Sequence, residues 1–334
     1  MICKDSLFNT INKFANYKIL VVGDIILDEY IWGKATRLSP EAPVPVLEVN
    51  KHTYILGGAA NVANNIVSLG GKSILIGVIG EDAQAETLME TLEKSDIDSS
   101  FIIKSKGRLT TVKTRLMAHN HQQLARVDRE KRDSISDDVE DDIINKISSL
   151  INSVDLVLLS DYSKGVLTPS LAKKIIQLAK SSNKPVLVDP KGLDFTKYSG
   201  ATLITPNRTE AELATKSHSG IDPEILARLI SETANIENVL VTLGEDGILF
   251  YSGGKIKMLP AVTSEVYDVT GAGDTLISTL ALGVSASEGD FELSIILGNY
   301  AAGVAVRKTG TTVVCAEELR NIIEHDLMEK TLKK

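Results

Sequence analysis

Short apolar runs alternate with segments of helical periodicity along nearly the whole chain. The runs at 18–23, 73–78, 155–160, 185–189, 202–205 and 238–243 are largely continuous in hydrophobic residues. Strands buried on both faces of a parallel sheet have that pattern, whereas half-exposed strands alternate. Between them, 59–69, 84–95, 137–151, 169–181 and 223–235 repeat apolar residues at helical spacing. The rhythm predicts βαβ units with right-handed crossovers, an α/β fold whose ligands sit beyond the carboxyl ends of its strands. The apolar stretch 276–284 predicts another helix, and the tail after Ala316 a last one ending in lysines.

Two segments, 29–56 and 101–128, break the rhythm with extended patterns and no helix between their strands. In the second, 111–117 and 123–128 flank a His/Asn-rich turn and pair as a β-hairpin. Together they predict a small antiparallel sheet projecting from the main domain, either a lid or an edge extension without a role. The chain is read as one domain, 1–334, with this lid contributed discontinuously.

Composition narrows the function classes. A 334-residue chain that is 43% hydrophobic and 24% charged suits a globular protein with one large core. Its 36 basic and 44 acidic side chains give a net charge of −8, which argues against nucleic-acid and membrane-surface partners. No apolar run approaches the roughly 20 residues of a membrane span, and 1–17 lacks a signal-peptide core. Cys3 and Cys315 lie far apart with no Cys-x-x-Cys, so a reducing, cytoplasmic setting without zinc is expected.

The densest chemistry lies in Asp268-Val269-Thr270-Gly271-Ala272-Gly273-Asp274-Thr275. Its glycines let backbone N–H groups close on an anion, and a helix N-terminus follows. Asp274 is there either as an acid favouring the helix dipole or as a base beside the anion. Four further groups fall near predicted strand ends. Asp24, after Gly23 and with Asp28 following shortly, offers a carboxylate for sugar hydroxyls, or else makes an Asx turn. Gly57-Gly58-Ala59-Ala60-Asn61 leaves room for a ligand at a helix start, and Asn61 is unusual among such small residues. Asn207 and Glu210, three apart, either orient a hydrated Mg²⁺ or form a capping box. Thr242-Leu243-Gly244-Glu245-Asp246-Gly247 reads as a hairpin turn or as a border for a nucleotide. Lys104, Lys106, Arg108, Lys113, Arg115, Arg126 and Arg129 concentrate positive charge near the hairpin, as an anionic substrate or a solvated face requires. A P-loop, a protein-kinase set, a Gly-x-Gly-x-x-Gly after the first strand and a Gly-x-Ser-x-Gly elbow are all absent from the sequence.

In this order and spacing, Gly57, Gly58 and Asn61, then Asn207 with Glu210, the 242–247 turn and the 268–275 run resemble the ribokinase/PfkB family of carbohydrate kinases. The resemblance implies a three-layer α/β/α domain with a mostly parallel sheet and a small antiparallel β lid, and ATP-dependent transfer to a sugar hydroxyl. It implies Asp274 as the base, with the N–H groups of Gly271, Ala272 and Gly273 on the γ-phosphoryl oxygens. Asp268 and Thr270 lie in the same nucleotide-side loop. The same resemblance implies that Asn207 and Glu210 hold Mg²⁺ through water, that Thr242, Gly244 and Gly247 flank ATP, and that Asp24, Gly57, Gly58 and Asn61 hold the sugar. A monovalent cation such as K⁺ assists many relatives. The segments 37–46, 120–126, 160–166 and 188–192 are similar to the family's bacterial D-glycero-β-D-manno-heptose 7-phosphate kinases. That subgroup makes the 1β,7-bisphosphate for ADP-heptose and the lipopolysaccharide core, so Arg115, Arg126 or Lys191 is expected to receive the sugar's phosphate. Other family kinases, acting on fructose phosphate, adenosine or ribose, are the alternative, and a non-catalytic sugar or nucleotide sensor is the alternative of another class. A homodimer through the lid is expected, with Tyr30, Ile31, Trp32 and Val46 as apolar surface. The nucleotidyltransferase domain of bifunctional relatives is not expected within these residues.

Overall fold

The computed structural model describes residues 4–118, 122–263 and 265–332. Cys3, the centre of the predicted hairpin turn (119–121) and the last two lysines lie outside them. The strands are β1 (Lys18–Gly23), β2 (Ile25–Leu38), β3 (Pro45–Gly58), β4 (Lys72–Ile76), β5 (Val78–Ile79), β6 (Ile103–Lys104) and β7 (Thr111–Met117). They continue as β8 (Gln123–Arg129), β9 (Leu156–Ser160), β10 (Val186–Asp189), β11 (Leu203–Ile204), β12 (Asn238–Thr242), β13 (Ile248–Ser252) and β14 (Lys255–Leu259). The helices are α1 (Lys4–Lys13), α2 (Ala59–Ser68), α3 (Ala83–Lys94), α4 (Asp137–Leu150) and α5 (Pro169–Ser181). Then come α6 (Arg208–Ala214), α7 (Pro223–Ala234), α8 (Ala272–Ala286), α9 (Phe291–Ala305) and α10 (Ala316–Leu332).

The eight-stranded sheet runs β14-β13-β12-β11-β10-β9-β1-β4. Every pair from β4 to β12 is parallel, and β13 and β14 finish the edge antiparallel. Successive residues of each strand enter different cores. Ile19, Val21, Leu156, Leu158 and Leu187 pack with α2, α8 and α9 on one face. Leu20, Val22, Val157, Leu159 and Val188 pack with α4, α5 and α7 on the other. This explains the continuous hydrophobic runs, because both side-chain parities are buried.

The predicted strand 73–78 divides. After β4, a Cβ at Gly77 would stand 2.7 Å from the Gly23 carbonyl, and β5 leaves to pair with β6 in a separate two-stranded sheet. The projecting four-stranded sheet, β3-β2-β7-β8, is built from two antiparallel hairpins joined by a parallel β2–β7 pairing. Helix α9 has no counterpart in the sequence reading, since it is apolar almost all round. Among the described residues no helix is long and apolar enough to cross a membrane.

Candidate active site

The glycine turn delivers α8 to the carboxyl ends of the central strands. Gly271 takes φ +81°, which glycine adopts without strain, and α8 starts without a side-chain cap. Ala272 N–H closes the turn on Val269 O at 3.2 Å, so one of the three expected anion donors is already engaged. A Cβ at Gly273 would meet nothing within 4 Å, so this position faces open space. Asp268 braces the loop, accepting from Thr270 N at 2.9 Å and Gly310 N at 2.8 Å. Burial alone would raise its pKa, but these bonds and the Arg115 charge prevail and hold it below the usual carboxylate value.

Asp274, in the first turn of α8, is buried and held on both oxygens. Asn61 Nδ2 donates to Oδ2 and the Tyr162 hydroxyl to Oδ1, each at 2.6 Å. Burial raises its pKa, and these two donors oppose the rise. A polar seam continues between α2 and α8. Asn65 Nδ2 donates to Asn61 O at 3.0 Å, and Thr275 Oγ1 to Asn65 Oδ1 at 3.1 Å. The buried amides of Asn61 and Asn65, one helical turn apart, are thus satisfied partly by α8 and partly within α2.

On the acceptor side, Asp24 is buried and takes backbone N–H groups on both oxygens: Tyr162 and Lys164 on Oδ2, Val166 on Oδ1. Its pKa is raised by burial and then by Asp161, against those bonds. Asp24 thus anchors the loop that presents Tyr162. The space opened by the paired glycines is taken by protein. A Cβ at Gly57 would stand 2.6 Å from Asp28 Oδ2, and one at Gly58, where φ is +58°, would collide with the Asp24 carbonyl. Asp28 in turn pairs with Arg115 at 2.6 Å and accepts from Thr311 at 3.1 Å. Lys113, beside Arg115 on the same face of β7, is lowered in pKa by burial despite the pull of Asp28. Arg126 lies opposite Arg115 in register but is half exposed and pairs with Asp128 at 2.8 Å.

On the opposite side, Asn207 and Glu210 form a capping box at the start of α6: Asn207 Oδ1 accepts from Glu210 N, and Glu210 Oε2 from Asn207 N, both at 2.9 Å. Glu210 also pairs with Lys191. Thr242 bridges to Asn207, placing Gly244 and its turn beside them, and Gly247 (φ +93°) packs on the Leu259 carbonyl. Asp189, at the end of β10, has its pKa pushed well up by burial, with Asp274, Glu210 and Asp161 adding to the rise and Lys191 opposing it.

The fold thus gathers Asp274, Asn61, the glycine turn and Lys191, with Arg115 reaching the cluster through Asp28. Arg126 shares the sheet face of Arg115 and its charge acts on Lys113, but it is half exposed and paired with Asp128. Asp28, which follows Asp24 shortly in the sequence, joins the cluster, and Tyr162, Asn65, Asp189 and the Gly310–Thr311 stretch join it without a signal in local spacing. Only the 160–166 segment, similar to one subgroup, pointed toward Tyr162.

Residues 16–319 match the family profile described as pfkB family carbohydrate kinase. The chain belongs to that family. As a pfkB-family kinase it acts on a sugar hydroxyl. It is 47% identical over 310 residues to the "Bifunctional protein HldE" of Helicobacter pylori strain G27, covering 92% of this chain and 66% of that one. With the protein of the same name from Trichlorobacter lovleyi the identity is 44% over 318 residues, covering 94% and 64%. The kinase thus spans slightly less than two thirds of the length of these relatives. Arabidopsis thaliana ribokinase, solved with ribose and ATP, superposes with a TM-score of 0.70 at 18% identity, covering 92% of this chain and 98% of that one. Escherichia coli phosphofructokinase-2, solved with potassium, gives 0.74 at 18%, covering 93% and 99%. These likenesses establish the ribokinase-like α/β fold.

Proposed function

We propose that this kinase transfers the γ-phosphoryl group of ATP to the anomeric hydroxyl of D-glycero-β-D-manno-heptose 7-phosphate, in the cytoplasm, toward ADP-heptose and the lipopolysaccharide core. One observation carries the substrate class. Lys113, Arg115 and Lys191 converge on the neighbourhood of Tyr162 and Asp274, so an acceptor that already bears a phosphate meets positive charge beside the base. The similarity to the HldE proteins supports a heptose among such acceptors.

In this reading Asp274 takes the proton of the anomeric hydroxyl while its oxygen bonds to the γ-phosphorus and the bond to ADP breaks. Donors at the glycine turn, Gly273 foremost, meet the charge moving onto phosphoryl oxygens. Asn61 fixes the base and Asp24 the acceptor loop; Gly57 and Gly58 allow Asp28 and Asp24 to pack there. Thr242, Gly244 and Gly247 border the nucleotide. Mg²⁺ keeps most of its waters, and the carboxylates of Glu210 and Asp189 with the Asn207 amide would provide acceptors for those waters. Mg²⁺ supplies neutralisation of phosphate charge. The loop of Asp268 and Thr270 is the place for a monovalent cation such as K⁺.

The projecting sheet acts as a lid, and its outer face pairs two copies of the chain. Tyr30 is excluded from that face because it is buried beneath Arg115. Ile31, Tyr54, Leu116 and Val127 occupy the other side of the sheet. The test of substrate is kcat/KM for heptose 7-phosphate, fructose 6-phosphate and adenosine in parallel. A heptose phosphate no better than its competitors overturns the assignment.

A further inference from the structure

The loop after β9 is pinned more firmly than a connection requires. Its N–H groups at 162, 164 and 166 bond Asp24 at 2.8–3.2 Å, and Ser163 N bonds Asp161 at 2.7 Å. Asp161 is itself tied to Lys197 at 2.6 Å and to the Tyr198 hydroxyl at 2.5 Å. What this rigid loop presents to the site is Tyr162. Its hydroxyl lies 2.6 Å from Asp274 Oδ1, and Lys113 and Lys191 stand over its ring at 5.4 and 5.8 Å, within cation–π range. A tyrosine kept only for packing has no need of a carboxylate at one end and two cations on its ring.

We propose that Tyr162 is a positioning residue for phosphoryl transfer, orienting the Asp274 carboxylate through its hydroxyl and stationing Lys113 and Lys191 beside an anionic acceptor through its ring. The inference rests on Asp274 being the base. Asn61 holds one carboxylate oxygen and Tyr162 the other, so together they fix the plane of the carboxylate. Each oxygen keeps a second lone pair for the acceptor hydroxyl. The same bond restrains basicity, since burial raises the Asp274 pKa and donation from Tyr162 lowers it. The other charged groups facing Asp274 are Asp28 from β2, Asp189 from the end of β10 and Lys191 beyond it. Asn61 of α2 brings no charge.

Turnover is measured with heptose 7-phosphate and ATP for the wild type, Tyr162→Phe, Tyr162→Leu and Asp274→Asn, each checked by thermal melting and by ATP binding. Tyr162→Phe keeps the ring, so it is expected to lower kcat about 10–100-fold, the worth of a hydrogen bond to a charged group. Its KM for the sugar stays within about twofold, and the acid limb of kcat/KM moves to higher pH. Tyr162→Leu adds a several-fold rise in KM for the phosphorylated sugar and none for ATP. Fluorotyrosine placed at 162 keeps the shape and strengthens donation, so it moves the acid limb to lower pH even if the other variants fold poorly. Tyr162→Phe with wild-type kcat and acid limb, or a fluorotyrosine protein with an unmoved limb, overturns the orienting role. Tyr162→Leu with an unchanged sugar KM overturns the role of the ring. Turnover retained by Asp274→Asn instead removes the base assignment itself, so the two failures are told apart.

Discussion

Asn61 donates its side-chain amide to Asp274 across 2.6 Å, joining residues 213 positions apart in the chain. The bond gives a buried carboxylate a partner and ties α2 to α8 at the centre of the site. In Asn61→Ala, Asp274 loses one donor and the Asn65 amide loses a side-chain acceptor. The expected cost is about 1–3 kcal/mol of stability, together with a fall in kcat. Denaturant unfolding and steady-state kinetics on the same preparation measure both.

Asp274→Asn removes the base and leaves the glycine turn in place. Turnover is expected to drop about 10²–10⁴-fold, while ATP affinity, read by calorimetry, stays near the wild-type value. Near-wild-type turnover would sink the role of Asp274 as base.

The pH dependence has a defined sign. Asp24, Asp189 and Asp274 all have folded-state pKa values above the ordinary 3.8. The folded protein therefore binds more protons than the unfolded chain between 3.8 and those raised values. The stability these groups lend is complete below 3.8 and is lost as pH rises through the raised values. Activity runs the other way, because the base must be ionised. The acid limb of kcat/KM is expected above the usual aspartate range, and Asp274→Asn should remove that aspartate's share of the loss of melting temperature with rising pH. Melting curves across the acidic range check both.

Glu210 serves a helix cap and, in the proposed reading, a hydrated cation. Glu210→Gln preserves an oxygen for Asn207 N–H but discards the charge. Melting temperature should change little while the Mg²⁺ concentration for half-maximal activity rises several-fold. A large fall in stability with an unchanged Mg²⁺ response means that the residue is a cap and an ion-pair partner only.

Arg115 and Arg126 separate by burial. The Arg115 side chain is 13% exposed against Asp28, whereas that of Arg126 is 51% exposed. Arg115→Ala strands a buried carboxylate and is expected to cost about 3–5 kcal/mol. Arg126→Ala should cost about 0–1 kcal/mol, so any rise in its KM for heptose 7-phosphate reports the sugar phosphate directly.

Much of the architecture is written locally. The central strands are legible because burial on both faces demands unbroken hydrophobicity, and the cap at 207–210 because its partners lie within one turn. Gly77 ends its strand through contact with Gly23, a neighbour that only folding supplies, so that break is hidden. Lys113, Asp28 and Tyr162 come together from β7, β2 and the loop after β9 with no fixed spacing between them. Asp24 and Gly57 carry the right residue types, yet the space around them is filled by the protein's own groups.

The seam between α2 and α8 also bears on the order of synthesis. Asn61 and Asn65 leave the ribosome long before Asp274, so α2 must wait with two amides facing a vacant slot until most of the chain has been made. The base becomes oriented only when that late helix docks. A chain truncated before α8 therefore lacks the base and leaves Asn61 and Asn65 without the partners that helix supplies in the interior.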